Sequence, residues 1–328
     1  MRFLPDRFTL LLIATVALAT LAPPAAALEA PLKIAVDLAI AFMFFLYGAR
    51  LAPQAVLAGV AHWRLHALVL AATFVMFPLI GVALRAVSAP LMPAPLALGL
   101  LFLCALPSTI QSSIAFTSIA GGNVPAAMCS ATLSSLVGTA LTPLIVALLA
   151  GTRGGASTGE AIGEIVVLLM APFAAGQALR PWIGGFVARR RAVLAATDRG
   201  SILLVVYSAF GHAVSAGLWR MLPPSGLAAL LALNGVALAF ALTATRFAAR
   251  SLGFNREDAI AIVFCGSKKS LAAGVPMAGV LFPGPDLGMI LLPLMLFHQM
   301  QLMACAALAR RWAAQGEARR EAEAEAAA

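Results

Sequence analysis

Apolar residues in this chain run on rather than alternate. Uncharged stretches of about 20 residues recur from end to end, each long enough to cross a hydrocarbon core of roughly 30 Å. Short segments carrying Arg, Gly and Pro separate them. The spans predicted this way are 8–24, 31–50, 65–84, 95–120, 123–150, 160–181, 200–218, 225–247, 257–282 and 286–311. Beyond them the pattern changes, and residues 315–328 alternate Arg, Glu and Ala as a solvated tail without chemistry. The expected fold is an all-α polytopic membrane protein with ten transmembrane helices, one domain over 1–311 and a tail over 312–328.

Composition identifies the solvent. Only 11% of the residues are charged and 62% are hydrophobic, with mean hydropathy +0.97, where a soluble domain carries about 25% charged residues. The net charge of +9 does not indicate nucleic acid, because the basic residues sit between spans and not on one face. They read instead as topology signals. With the N-terminus inside, sixteen Lys and Arg fall on the cytoplasmic side, Arg50, Arg64, Arg180, Arg246, Arg250 and Arg256 among them. Four fall outside (Lys33, Arg85, Arg153, Arg220), and Lys268 and Lys269 lie within a span. This bias predicts a lipid-embedded, multi-pass protein of the inner cell membrane with both termini cytoplasmic. Arg2, Arg7 and the apolar run ending before Ala25-Ala26-Ala27 also resemble a cleavable signal peptide. An uncleaved first helix fits better, since it keeps the helix count even. Ten helices divide into two sets of five, over approximately 8–150 and 160–311. Because five is odd, the second set runs inverted relative to the first.

Two spans are interrupted at mid-depth. One reads Leu106-Pro107-Ser108-Thr109-Ile110-Gln111-Ser112-Ser113, where Pro107 lacks an N–H and breaks a helix. The other reads Phe264-Cys265-Gly266-Ser267-Lys268-Lys269-Ser270, with Pro276 one half-helix later. Gln111 to Ala115 and Lys268 to Ala272 occupy the fourth span of their respective sets at an offset of 157. Irregular backbone at this depth must be buried in protein or line a wet cavity, and free half-helix ends bind ions. Serine and threonine alone could be padding around ordinary kinks. The lysines are different, because one charge at mid-bilayer costs about 2.5–3.5 kcal/mol.

The candidate site therefore gathers Lys268 and Lys269 with Thr109, Gln111, Ser112, Ser113, Gly266, Ser267 and Ser270. Span five offers Ser130, Thr132, Ser134 and Ser135, and span three offers Thr73. Span ten offers His298, Gln299 and Gln301, with His298 and Gln299 placed ahead of His212 in span seven; span eight offers Asn234. No carboxylate inside a span pairs with the lysines, so the site is net positive, and less so if one lysine is deprotonated by burial. The four cysteines form no CxxC pair and read as buried free thiols, with no disulfide, metal framework or cofactor.

At these residues the chain resembles a known family. Phe44 to Leu51, His62 to His66, Thr73 to Pro78, Phe264 to Ala272 and Leu292 to Gln299 look like segments of the bile acid:sodium symporter superfamily. Together they resemble its SBF-like branch, which includes the member-seven type of solute carrier family 10. The resemblance implies two inverted five-helix repeats, a panel and a core domain, and discontinuous fourth and ninth helices crossing at the site. It also implies a sodium site, with Ser112 and Ser113 falling on a serine–asparagine pair and Thr132 near further hydroxyl ligands. Thr73 falls on a glutamine. The ninth-helix Glu-x-Gly-x-Gln-Asn element falls on Phe264 to Lys269, so a phenylalanine and two lysines replace oxygen ligands. An ammonium there repels sodium.

The expected function is secondary active transport of a small organic anion by alternating access, coupled to Na+ or H+. Lys268 is expected to occupy the space of the missing cation, satisfying half-helix carbonyls and the hydroxyls of Ser112 and Thr132. The alternative is a regulatory or receptor-like membrane protein that keeps the fold without net transport. An intramembrane enzyme is not expected, since no HExxH, GxSxG or paired aspartates occur within the spans.

Overall fold

The structure is a computed structural model describing residues 7–50, 62–150 and 158–327; among them every regular element is helical. The chain opens with α1 (Arg7–Leu21), α2 (Glu29–Arg50) and α3 (Trp63–Ser88), the last widened by a π turn at Ala72–Met76. It continues through α4 (Ala94–Ala105), α5 (Ile110–Ile119) and α6 (Val124–Ala150). The second half holds α7 (Thr158–Arg189), α8 (Arg191–Ser215) and α9 (Pro224–Ser251). It ends with α10 (Arg256–Gly266), α11 (Leu271–Leu281) and α12 (Leu287–Ala327).

Among the described residues, seven helices are long and apolar enough to cross a membrane, or eight when α4 and α5 count as one span bent by 60°. The two remaining predicted spans fall on α1, which is 15 residues long, and on α7, which carries Pro172 and Pro181 internally. The protein is thus a multi-pass membrane protein. Of the predicted topology markers, Arg2 and Arg153 lie outside the described residues. The predicted tail boundary at 311 falls inside α12, and Trp312 is buried with its ring 5.4 Å from that of Phe264.

Two helices pack mainly through glycine. α2 lies along α7, with Gly48 against the Phe173 carbonyl and Gly176 against the Phe45 carbonyl so closely that a Cβ at either would collide with backbone. Lipid tails are as apolar as leucine, so helices in a bilayer gain from this close approach of small residues. α1 and α2 both pack on α8, and α8 also contacts α11 and α12. At the centre lies Arg256–Leu281, the combined α10–α11 segment, with 94% of its most apolar stretch buried. The lysines sit in its interruption.

One end of the molecule collects basic and capping groups. Arg64 donates to the Leu252 carbonyl at 3.1 Å and lies over the Phe254 ring, and Arg256 donates to the Trp312 carbonyl. Asn255 caps α10 by accepting from the Asp258 N–H, and Asn123, just before α6, donates to the Asp258 carboxylate at 2.7 Å. The end of the α4–α5 span therefore meets the beginning of the α10–α11 span. The two run in opposite directions.

Candidate functional site

The site is built by accounting for freed carbonyls. α4 stops at Ala105 because Pro107 cannot donate to the helix, and residues 106 and 109 are extended. Five carbonyls at this end, Leu103 to Pro107, find new partners. The Leu103 oxygen accepts from the Leu106 N–H, and the Ala105 oxygen accepts from the Thr142 hydroxyl at 2.9 Å. The Pro107 oxygen accepts from the Ser270 N–H at 2.9 Å. The Cys104 and Leu106 oxygens accept from the Lys269 ammonium at 3.0 and 2.6 Å.

A third carbonyl on that ammonium comes from α3. In the π turn the Phe77 N–H reaches back to the Ala72 carbonyl, five residues away. The same step from Thr73 would need an N–H at position 78, which is proline. The Thr73 carbonyl is left free, and it accepts from Lys269 Nζ at 3.0 Å. The Phe77 ring covers the ammonium, its centroid 4.1 Å away. Lys269 is 0% exposed, and its three N–H donors face three acceptors.

The Lys269 backbone is held as firmly. Its N–H donates to Gln301 Oε1 and its carbonyl accepts from Gln301 Nε2, both at 2.8 Å, and the Thr109 hydroxyl donates to the same carbonyl at 2.9 Å. Gln301 Nε2 also pairs with His298 Nδ1 at 2.9 Å. Lys268 differs. It too is 0% exposed, yet its ammonium has one hydrogen-bond acceptor among the described residues, Ser112 Oγ at 3.1 Å. The ammonium also lies over the rings of Phe116 and Phe264, with centroids at 4.5 and 5.8 Å, near the Cys265 and Cys305 thiols.

The opposing helix end is capped by neutral hydroxyls. Ser108 donates to the Cys265 carbonyl at 2.6 Å, Ser113 to Phe264 at 2.9 Å and Ser267 to Val263 at 2.6 Å. Ser270 caps α11 by accepting from the Ala273 N–H. Gly266, the last residue of α10, lies so close to Thr245 and Ala72 that a Cβ would press on both. The two breaks thus cross, each filling the polar needs of the other.

Several expectations change in detail. The ammonium on the half-helix carbonyls belongs to Lys269, not Lys268. Thr73 contributes a backbone carbonyl, while its hydroxyl back-bonds to Val69 within α3. Thr132 is half-buried and stays outside the network; of the α6 hydroxyls expected there, Ser134 accepts from the Ser108 N–H at 3.0 Å and Ser130 pairs with His66 at 2.7 Å, and Thr142 joins them at the Ala105 carbonyl. Gln299 faces away, accepting from the Thr9 hydroxyl of α1 at 2.8 Å, and Gln301 takes the place expected for it. Gln111 is exposed on α5. His212 bonds its own helix at Ser208, and Asn234 donates to Pro293 on α12. Three of the four free cysteines are buried, and Cys129 is partly so.

Among the described residues no carboxylate pairs with either lysine; away from them, an ion pair joins Arg50 to Asp198, between α2 and α8. The arrangement holds one ammonium in full satisfaction and a second with donors to spare.

The chain is similar to known proteins along nearly its whole length. The model of the SBF-like CPA transporter family matches residues 6–314. The chain is 57% identical over 313 residues to "Uncharacterized protein PA2026" of Pseudomonas aeruginosa, covering 95% of this chain and 94% of that protein. It is 49% identical over 313 residues to "Putative symporter YfeH" of Escherichia coli, with the same coverage of 95% and 94%. It is 26% identical over 298 residues to "Sodium/bile acid cotransporter 7" of Rattus norvegicus, covering 89% and 88%. With the family match running over nearly the whole chain, this multi-pass membrane protein belongs to the SBF-like CPA transporter family.

Proposed function

We propose that the chain is a secondary active transporter of a small organic anion, working by alternating access, with Lys268 as the residue that meets the solute. The observation that carries this reading is the pair of buried ammoniums at the crossing, of which Lys268 has one hydrogen-bond acceptor for three donors. A charge this costly to bury, left short of partners, suits an anion that supplies the missing acceptors. The exposed Gln111 and the half-buried Thr109 and Ser112 mark the side from which the solute reaches it, since polar groups at membrane depth belong beside water.

The proposed architecture is ten transmembrane helices in two inverted five-helix repeats, with both termini cytoplasmic in the inner membrane. Its support is the opposite direction of the two broken spans and the gathering of Arg64, Arg256 and their partners at one end. The proposed coupling ion is a proton rather than sodium. Ser112 and Ser113, the hydroxyls matched to a sodium site, are engaged by Lys268 and by the Phe264 carbonyl.

The test is uptake of labelled small carboxylates into proteoliposomes under a sodium gradient, a pH gradient or neither. Uptake driven by the pH gradient, indifferent to sodium and lost in Lys268→Met, is the expected result. Strict sodium dependence, or full uptake by Lys268→Met, contradicts it.

A further inference from the structure

The carbonyls around Lys269 have a chemistry of their own. Three backbone oxygens converge on a single buried point at 2.6–3.0 Å. Two come from the C-terminal end of a half-helix, where the unpaired carbonyls carry the negative pole of the helix dipole. The third is released by the π turn and by Pro78. A phenyl face closes the remaining side. Nothing in the set is anionic and nothing donates. Rings of carbonyls of this kind replace the water around a monovalent cation.

We propose that the Thr73, Cys104 and Leu106 carbonyls form a monovalent-cation site, and that the native chain fills it with its own Lys269 ammonium. The cation is tethered, so the crossing is complete without a free ion. When the side chain is cut back to alanine, the space of the ammonium opens and the carbonyls accept a free monovalent cation of similar size, ammonium or potassium. Lithium is too small for oxygens spaced around an ammonium, and choline is too large for a closed site.

Two features separate this from ordinary capping by a lysine. First, the opposite half-helix, α10, is capped by Ser108, Ser113 and Ser267 hydroxyls with no charge at all. Capping a helix end at this crossing therefore does not require an ammonium. Second, the donors and acceptors match in number. A single hydroxyl or amide cannot serve three converging carbonyls, whereas a spherical cation can.

The inference concerns folding and does not depend on the transport reading, because its readout is stability. Purified full-length Lys269→Ala protein is heated in detergent in ammonium, potassium, lithium or choline chloride at equal ionic strength. The expected result is an unfolding temperature that rises with ammonium or potassium concentration, as for any ligand that binds only the folded state. Wild type, with its site filled, is expected to show no cation preference, and Lys269→Met, which refills the space with apolar atoms, is expected to show none either. Equal unfolding temperatures for Lys269→Ala in all four salts overturn the proposal, as does an equal preference in wild type. If Lys269→Ala is not recovered in choline medium, the same extraction is run in ammonium and potassium media with Lys269→Ser alongside. Recovery in those media alone supports the site, and recovery of neither variant in any salt overturns it.

Discussion

A methionine at position 269 keeps most of the stem volume but removes every donor from three carbonyls. Leaving one buried acceptor unpaired costs about 1–3 kcal/mol, so Lys269→Met is expected to lose at least about 3 kcal/mol and to unfold well below wild type. Lys268→Met removes an ammonium with one hydrogen bond and no counter-ion among the described residues. Burial of an unpaired charge is itself costly, so that variant is expected to match or exceed wild type in thermal stability while losing uptake. Differential scanning fluorimetry of the two proteins, with uptake measured beside it, checks both signs at once. A similar contrast holds on α12. Gln301→Ala strands the Lys269 N–H and leaves its carbonyl to the Thr109 hydroxyl alone, and is expected to cost about 2 kcal/mol, whereas Gln299→Ala breaks one partly buried contact with Thr9 and is expected to cost about 1 kcal/mol. Equal losses would mean that the buried network is not what holds the crossing.

The same residues show what the sequence discloses at this scale. Two lysines in an apolar run identify a site because charge in lipid is expensive whatever the fold. Which of them meets the carbonyls depends on the side each takes in the non-helical break between α10 and α11, and only the packed neighbours decide it. Gln299 and Gln301 differ in the same way, since 298 and 301 share a helix face and 299 does not. Thr73 was legible as a position but not as a role. Its contribution is a carbonyl, and no side-chain pattern reports a freed carbonyl unless Pro78 is counted five residues ahead.

At the scale of elements, the π turn in α3 gives a prediction that runs against helix propensity. Replacing proline by alanine inside a helix ordinarily stabilises it. At position 78 it would restore an N–H five residues after Thr73 and let the carbonyl return to the helix ladder. Lys269 would then keep two of its three acceptors. Pro78→Ala is expected to lower stability by about 1 kcal/mol, the size of one net hydrogen bond, in spite of the better helix former. Hydrogen exchange of the amide that the substitution introduces at position 78 measures the competition directly, because a protected amide there means that the carbonyl has been taken. The elements themselves were legible where a proline or a charge interrupts an apolar run, as at Pro107 and Lys268. Their ends were less so. α7 runs to Arg189 and α12 to Ala327, beyond the predicted 181 and 311, because a helix need not stop where the apolar run does.

The whole molecule is tested by which side its loops face. Leu91 follows the third span of the first set, and Leu252 follows the third span of the second. Both are about half exposed, at 52% and 49%. In a direct repeat they would share a side of the membrane; in an inverted one they cannot. The structure already puts Leu252 with Arg64 and the Asn123–Asp258 pair, and it puts Arg85, six residues before Leu91, against the last carbonyls of α6 at Leu149 and Ala150. Those are opposite ends of α3, so the two leucines are expected on opposite sides of the bilayer. With the excess of Arg held inside, Leu252→Cys should label from the cytoplasm and Leu91→Cys from outside, using an impermeant maleimide on a chain freed of its native cysteines. Pro285→Cys, in the turn after α11, should behave like Leu91→Cys, because the α10–α11 span begins beside Leu252 and must end on the far side. Labelling of Leu91→Cys and Leu252→Cys from one side would rule out the inverted repeat. It would also rule out alternating access by exchange of two equivalent halves, while leaving the ammonium cage, which depends only on the crossing, untouched.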